Sequence, residues 1–217
     1  MSWNSSLYEY HKKYGGQFLA GELDDGLLIL TWKDRPLVVD LSMVNGGRSG
    51  TFSNIRPRAT VTLAKPYKLT VGAEKALYGG VNTVLKAVPG LPDHAVLPAD
   101  FGFPEVTKRR LIRSDNHPFT KLVLGSLDLR NALQACPGER LEVRPGPGEE
   151  GLHLITVTTA ANVNNSDWYL GEYEFSLLSE EERVRVDQRI EAEFFPKMDR
   201  FLDLARAACG AVTQWAM

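Results

Sequence analysis

Cysteine is scarce in this chain, with only Cys136 and Cys209 among 217 residues. Such a pair excludes a disulfide framework, and with no ligand spacing around either thiol it reads as inert apolar filling rather than metal chemistry. Histidine does not repair the deficit: His11, His94, His117 and His153 lie too far apart to place two ligands on one helix or turn, so neither a metal nor a cofactor is expected. Long apolar runs are missing as well. The longest clean ones, such as 27–30, are strand-sized against the roughly 20 residues that cross a bilayer, so membrane insertion is not expected. The opening residues Met1-Ser-Trp-Asn-Ser-Ser carry neither the basic nor the apolar region of a secretory signal, and the expected address is cytoplasmic.

An excess of one charge is also absent. Twenty-five basic against twenty-seven acidic side chains leave a net charge of −2, so no global field draws the chain to nucleic acid, and any electrostatic function must be local. The segment 46–51, Gly-Gly-Arg-Ser-Gly-Thr, has glycines like a phosphate loop but lacks its Gly-Lys-Ser/Thr ending; it reads as a loop between strands. The dinucleotide, metalloprotease and esterase fingerprints do not occur either, which lowers the expectation of an enzyme.

What is present is an ordinary globular composition, 43% hydrophobic and 24% charged, on a chain long enough to bury a core without staples. Leu7, His11 and Tyr14 share one face of an opening helix that Gly15-Gly16 stops. Strands follow at 17–22 and 27–32 around Asp24-Asp25-Gly26, and Lys33-Asp34 offers a tight reversal into a β-branched strand over 35–44. Two more strands, 59–63 and 67–71, complete a first sheet of about five. A helix is predicted over 73–88, and the prolines at 89, 92, 98 and 104 mark a connection.

The second half opens with a predicted strand over 106–113. A short polar run, Ser114-Asp115-Asn116, then caps a helix started by Pro118. Ser126 caps another helix, which Cys136-Pro137-Gly138 ends. Strands at 140–144 and 151–158 bracket a Pro-Gly-Pro-Gly loop, with a third at 168–177.

The strongest periodic signal is C-terminal. Ser179 and Glu182 make a capping box, and Val186, Ile190, Phe194, Met198, Phe201, Ala205, Ala208 and Val212 line one face of a helix about 50 Å long, interrupted near Phe195 by Pro196. The expected fold is therefore α+β, with two antiparallel meanders, intervening helices and a long C-terminal helix packed on sheet. Its halves, 1–88 and 106–217, are joined by 89–105 in one compact unit. This order of elements resembles that of helix-grip proteins, which implies an apolar cavity between sheet and closing helix.

Three functional expectations follow. The leading one is a non-catalytic protein that binds a small apolar or anionic ligand, or a partner chain, against the C-terminal helix. The second is an enzyme working from the Ser114-Asp115-Asn116-His117 turn, although these side chains also suit helix capping. The third is anion or nucleic-acid recognition by basic clusters. Arg48, Arg56, Arg58, Lys65 and Lys68 occur without an acid between 41 and 73, and Lys108, Arg109, Arg110 and Arg113 fall on one predicted strand. Arg48, Arg56, Arg58, Arg110 and Arg113 are the candidate anion ligands. Trp168, Tyr169, Tyr173 and Phe175 read as packing aromatics on a half-exposed strand, and Trp215 near the end of the helix makes self-association into a homodimer a further expectation.

Overall fold

The computed structural model describes residues 2–45, 51–74, 95–96, 101–148, 150–159 and 177–215. The protein is α+β, with antiparallel strands and a long C-terminal helix packed on the sheet. The chain divides into two units, one comprising Met1–Pro57 with Ala161–Leu202 and the other Arg58–Ala160 with Asp203–Met217.

The first unit opens with helix α1 (Trp3–Tyr14), followed by strands β1 (Gln17–Leu19), β2 (Leu27–Trp32), β3 (Arg35–Asn45) and the first half of β4 (Thr51–Thr62), in the order β1-β2-β3-β4. The β2–β3 reversal is the two-residue hairpin that Lys33-Asp34 predicts. Trp32 pairs with Arg35, and both turn residues are left-handed, at φ 49° and 62°, a geometry that matches the right-handed twist of the flanking strands.

The β1–β2 connection is longer, because its residues serve α1. The carboxylate of Asp24 accepts from the Trp3 and Asn4 backbone N–H groups at 2.8 and 2.7 Å, two donors that the first helical turn cannot satisfy internally. The Asn4 amide donates to the Gly21 carbonyl and its oxygen accepts from the Gly26 N–H, while the Trp3 indole donates to the Gly26 carbonyl. A Cβ on Gly26 would lie 2.2 Å from Asn4 Oδ1, so only glycine allows this approach.

Alternation places Leu28, Leu30, Leu37, Val39 and Ile55 in the core. Helix α1 buries Trp3, Leu7 and Tyr10 rather than the predicted Leu7–His11–Tyr14 face, since Trp3 and Tyr10 meet Phe194 edge-on and Tyr14 is exposed.

In the second unit the order is β4-β9-β8-β5-β7-β6, with β5 (Leu69–Val71), β6 (Ala95–Val96), β7 (Ile112–Ser114), β8 (Glu139–Pro145) and β9 (Leu152–Thr159). Helix α2 (Pro104–Thr107) precedes β7, and α3 (His117–Gly125) and α4 (Leu127–Ala135) follow it. Asn116 caps α3 and Ser126 caps α4, each accepting from the N–H three residues on. Strands β8 and β9 form the hairpin expected around Pro-Gly-Pro-Gly.

Two predicted elements differ. Strand β5 does not extend the first meander; it pairs with β7 and β8, while β4 pairs with β9, so the partners come from distant sequence. The strand predicted over 106–113 is a turn of helix ending in β7. Pro104 fixes a helical φ at its start, the Thr107 hydroxyl bonds back to the Gly102 and Phe103 carbonyls, and Arg110 turns inward. The predicted helix over 73–88, the loop over 46–50 and the strand over 168–177 lie essentially outside the described residues.

The C-terminal helix follows the capping box at Ser179 and Glu182, running as α5 (Glu180–Arg189), one π-helical turn (Ile190–Phe194) and α6 (Phe195–Thr213). All eight residues of the predicted apolar stripe are buried. The expected interruption at Pro196 takes the form of the widened turn. The Phe195 N–H bonds to the Ile190 carbonyl five residues back, and the ring of Pro196, which has no N–H to give, follows without ending the helix.

Asp24→Ala should lower the stability of the folded chain by about 1–2 kcal/mol in urea denaturation, the range of a lost helix cap. Asp24→Asn, which keeps an acceptor oxygen, should lose less.

Candidate functional site

The predicted anion ligands do different work from one another. Arg48 lies outside the described residues. Arg56 makes a two-pronged pair with Asp40, at 2.8 and 2.9 Å, and this bond holds its guanidinium pKa above the usual value. Arg58 is half-buried on β4 opposite Thr156, and Arg113 is exposed on β7 opposite Thr70.

Arg110 is fully buried. Its Nη1 donates to the Gly72 and Glu139 carbonyls at 2.9 and 3.2 Å, and its Nη2 donates to the Leu133 and Cys136 carbonyls at 2.8 Å each. Burial pushes its pKa down, and the Glu74 carboxylate, 3.7 Å away, opposes that. Leu133 and Cys136 close helix α4, so this one guanidinium adds a second donor to carbonyls at the helix end, which also accept from the Cys136 and Glu139 N–H groups, and ties them to the ends of β5 and β8. Four of its five donors are occupied by backbone.

The Ser114–His117 turn is engaged in structure. The Ser114 hydroxyl accepts from the Asn116 N–H and meets Thr120 Oγ1 at 2.5 Å. Asp115 accepts from the Lys68 N–H, and His117 lies against the Phe101 ring at 5.5 Å. No hydrogen bond joins Ser114 to His117 among the described residues.

The Ser114–Thr120 contact continues to Tyr67, whose hydroxyl is 2.7 Å from Thr120 Oγ1. The Tyr67 N–H donates to His153 Nε2 at 2.9 Å, which assigns the His153 proton to Nδ1, 2.8 Å from the Gly151 carbonyl. Tyr67 is thus pinned at both ends and packs edge-on to Phe119 at 4.6 Å. Burial pushes the phenol pKa well above its ordinary 10.0, although the two hydroxyls act in the opposite sense.

Tyr67 lines a recess of about 190 Å³ with Leu63, Lys65, Asn116, Phe119 and Trp215, at the end of the C-terminal helix. Trp215 also lines a larger, open recess of about 710 Å³ with Phe103, Pro118, Lys121, Leu122 and Leu127. The walls of this groove come from the outer faces of α3 and α4. Helix α3 buries Thr120, Val123 and Leu124 and leaves Leu122 outside; α4 buries Leu129 and Leu133 and leaves Leu127 outside at its first position.

Phe103 is held in place by its surroundings. It has a left-handed backbone at φ 51° after Gly102 at φ 73°, a strained conformation for a bulky residue. The Arg130 guanidinium sits 4.4 Å over its ring, 3.3 Å from Glu105, and donates to the Leu124 and Gly125 carbonyls at the end of α3.

A third recess, about 500 Å³, lies in the first unit beside Glu9, Lys12, Lys13, Asp187 and Glu191. Lys12 pairs with Glu9 and Lys13 with Glu191, and burial together with Glu9 pushes the Asp187 pKa up. Its charges largely neutralise one another.

Sequence reasoning singled out Trp215 but missed Phe103, Leu122 and Leu127. The available signal was an apolar side chain off the buried stripe of its helix; for Phe103 the sequence carries none. Comparison with protein-family models, curated proteins and solved structures finds no match for this chain.

Arg110→Met should cost about 3 kcal/mol or more by leaving four buried carbonyls short of a donor, whereas Arg113→Met at the exposed position should stay within about 0.5 kcal/mol; paired urea titrations compare them. Tyr67 sets an alkaline limit. Its raised folded pKa leaves stability level below about pH 10 and lowers it as pH climbs past that value, because the unfolded phenol ionises while the folded one keeps its proton. Tyr67→Phe should flatten that decline, seen in urea midpoints measured on either side of pH 10.

Proposed function

We propose that this chain is a partner-binding protein whose docking surface is the groove between α3, α4 and Trp215. The observation that carries the reading is convergence. Of the nine large apolar side chains exposed among the described residues, Leu122, Leu127 and Trp215, at 45%, 61% and 43% exposure, line this one recess. Scattered single exposures need no explanation, but a contiguous set around a concavity keeps apolar area in water unless something covers it. Covering these part-exposed side chains removes apolar area from water, which favours association.

An amphipathic segment with aliphatic or aromatic anchors suits this shape, as in helix-in-groove recognition. A second reading has its own support: the adjoining recess of about 190 Å³ combines Lys65 with the Phe119 and Trp215 rings, a set that suits a small anionic aromatic ligand. Anion recognition by the arginines of the basic clusters is less well supported, because Arg56 and Arg110 already have partners.

Peptides selected from a random library on the immobilised protein should share aliphatic or aromatic anchors and lose about ten-fold or more in affinity towards Leu127→Asp and Trp215→Ala. Peptides indifferent to both changes would put docking elsewhere. A small anionic ligand would instead respond to Lys65→Ala and ignore Leu127→Asp.

A further inference from the structure

We infer that the partner seated on this groove is a second copy of the same chain, related by a two-fold axis through the recess; this rests on the groove being a docking surface. Two charges lie among its apolar anchors, Lys121 on α3 and Asp128 on α4. Both are exposed, and neither side chain has an ion-pair or hydrogen-bond partner among the described residues, although other surface carboxylates and cations, such as Asp203 with Arg206, are paired.

A partner that satisfies the groove must bring an acid to Lys121 and a base to Asp128, between apolar groups that cover Leu122, Leu127 and Trp215. The groove itself carries that complement. Turned by a two-fold rotation, Lys121 of one copy faces Asp128 of the other, and the same pair recurs on the opposite side of the axis, as an isologous contact requires. Shape follows the same rule, since the surface supplies both projections and hollow. Leu127, the most exposed of its anchors, lines a recess of about 710 Å³ with room for its counterpart. Net charge does not oppose the pairing, because at −2 two copies repel each other only weakly.

Sedimentation equilibrium of the full chain across the micromolar range tests this, using charge variants that leave the buried core untouched. The wild-type chain should sediment towards twice its own mass. Lys121→Asp places acids at both positions and Asp128→Lys places bases at both, so each variant alone should dissociate about ten-fold or more readily. An equimolar mixture of the two should recover the dimer, because every cross-axis contact is again between opposite charges. Leu127→Asp should be monomeric throughout.

A wild-type chain that stays monomeric over the whole range overturns the inference. So does a dimer that ignores all three substitutions, or variants that dissociate alone and do not recover on mixing. If the chain is monomeric yet selected peptides still respond to Leu127→Asp, only the identity of the partner fails and the groove stands; if neither self-association nor selected peptides depend on Leu127, the groove reading fails with it.

Discussion

The fold depends on keeping one apolar stripe in register along the C-terminal helix across a proline. From Val186 to Val212 the stripe is buried at every predicted position, and such burial is the main favourable term available to a chain whose two cysteines are both free. Pro196 would clash with the carbonyl four residues earlier in a regular helix. A single π-helical turn over Ile190–Phe194 takes up the irregularity and still sends Phe194, Phe195 and Met198 inward. The Trp3 and Tyr10 face of α1 then has aromatic rings to meet, and the loop that Asp24 and Asn4 fasten to α1 is in turn positioned for β2.

The second unit solves a different problem, the closing of polar groups inside a small core. Arg110 and the Tyr67–Thr120–Ser114 chain are both buried, and both are almost entirely committed to hydrogen bonds. A buried guanidinium is expensive unless its donors are used, and here carbonyls at the end of a helix and of two strands use four of them. Of the residues with the most suggestive chemistry in the sequence, Arg56, Arg110, Ser114 and Asp115 all take part in hydrogen bonds within the fold. The groove is made instead from ordinary leucines, a phenylalanine and a tryptophan that the core left outside.

Local features were legible in the sequence because each has a local cause. The Lys33-Asp34 hairpin, the caps at Asn116 and Ser126, the Ser179–Glu182 box and the Pro-Gly-Pro-Gly loop each follow from backbone preferences within a few residues. Pairing of β4 with β9 and of β5 with both β7 and β8 was not legible, since register between distant segments depends on which faces meet. The inward turn of Arg110 was hidden for the same reason: its partners Gly72, Leu133, Cys136 and Glu139 are separated from it by 23 to 38 residues. Of the candidate site, Trp215 could be suspected from its place at the end of an apolar helix. Leu122 and Leu127 would have required treating an off-stripe leucine as information rather than noise.

The discontinuous make-up of the two units bears on how the chain is born. Each unit draws one stretch from before residue 161 and a second from after residue 160, 161–202 in one case and 203–217 in the other. During synthesis, then, the core of the first unit waits for 161–202 and that of the second for 203–217. Hairpins such as β2–β3 can form early, but they wait with their apolar faces bare for the helix that closes them. Until those later residues are made, apolar faces that the folded units bury stay open to other chains.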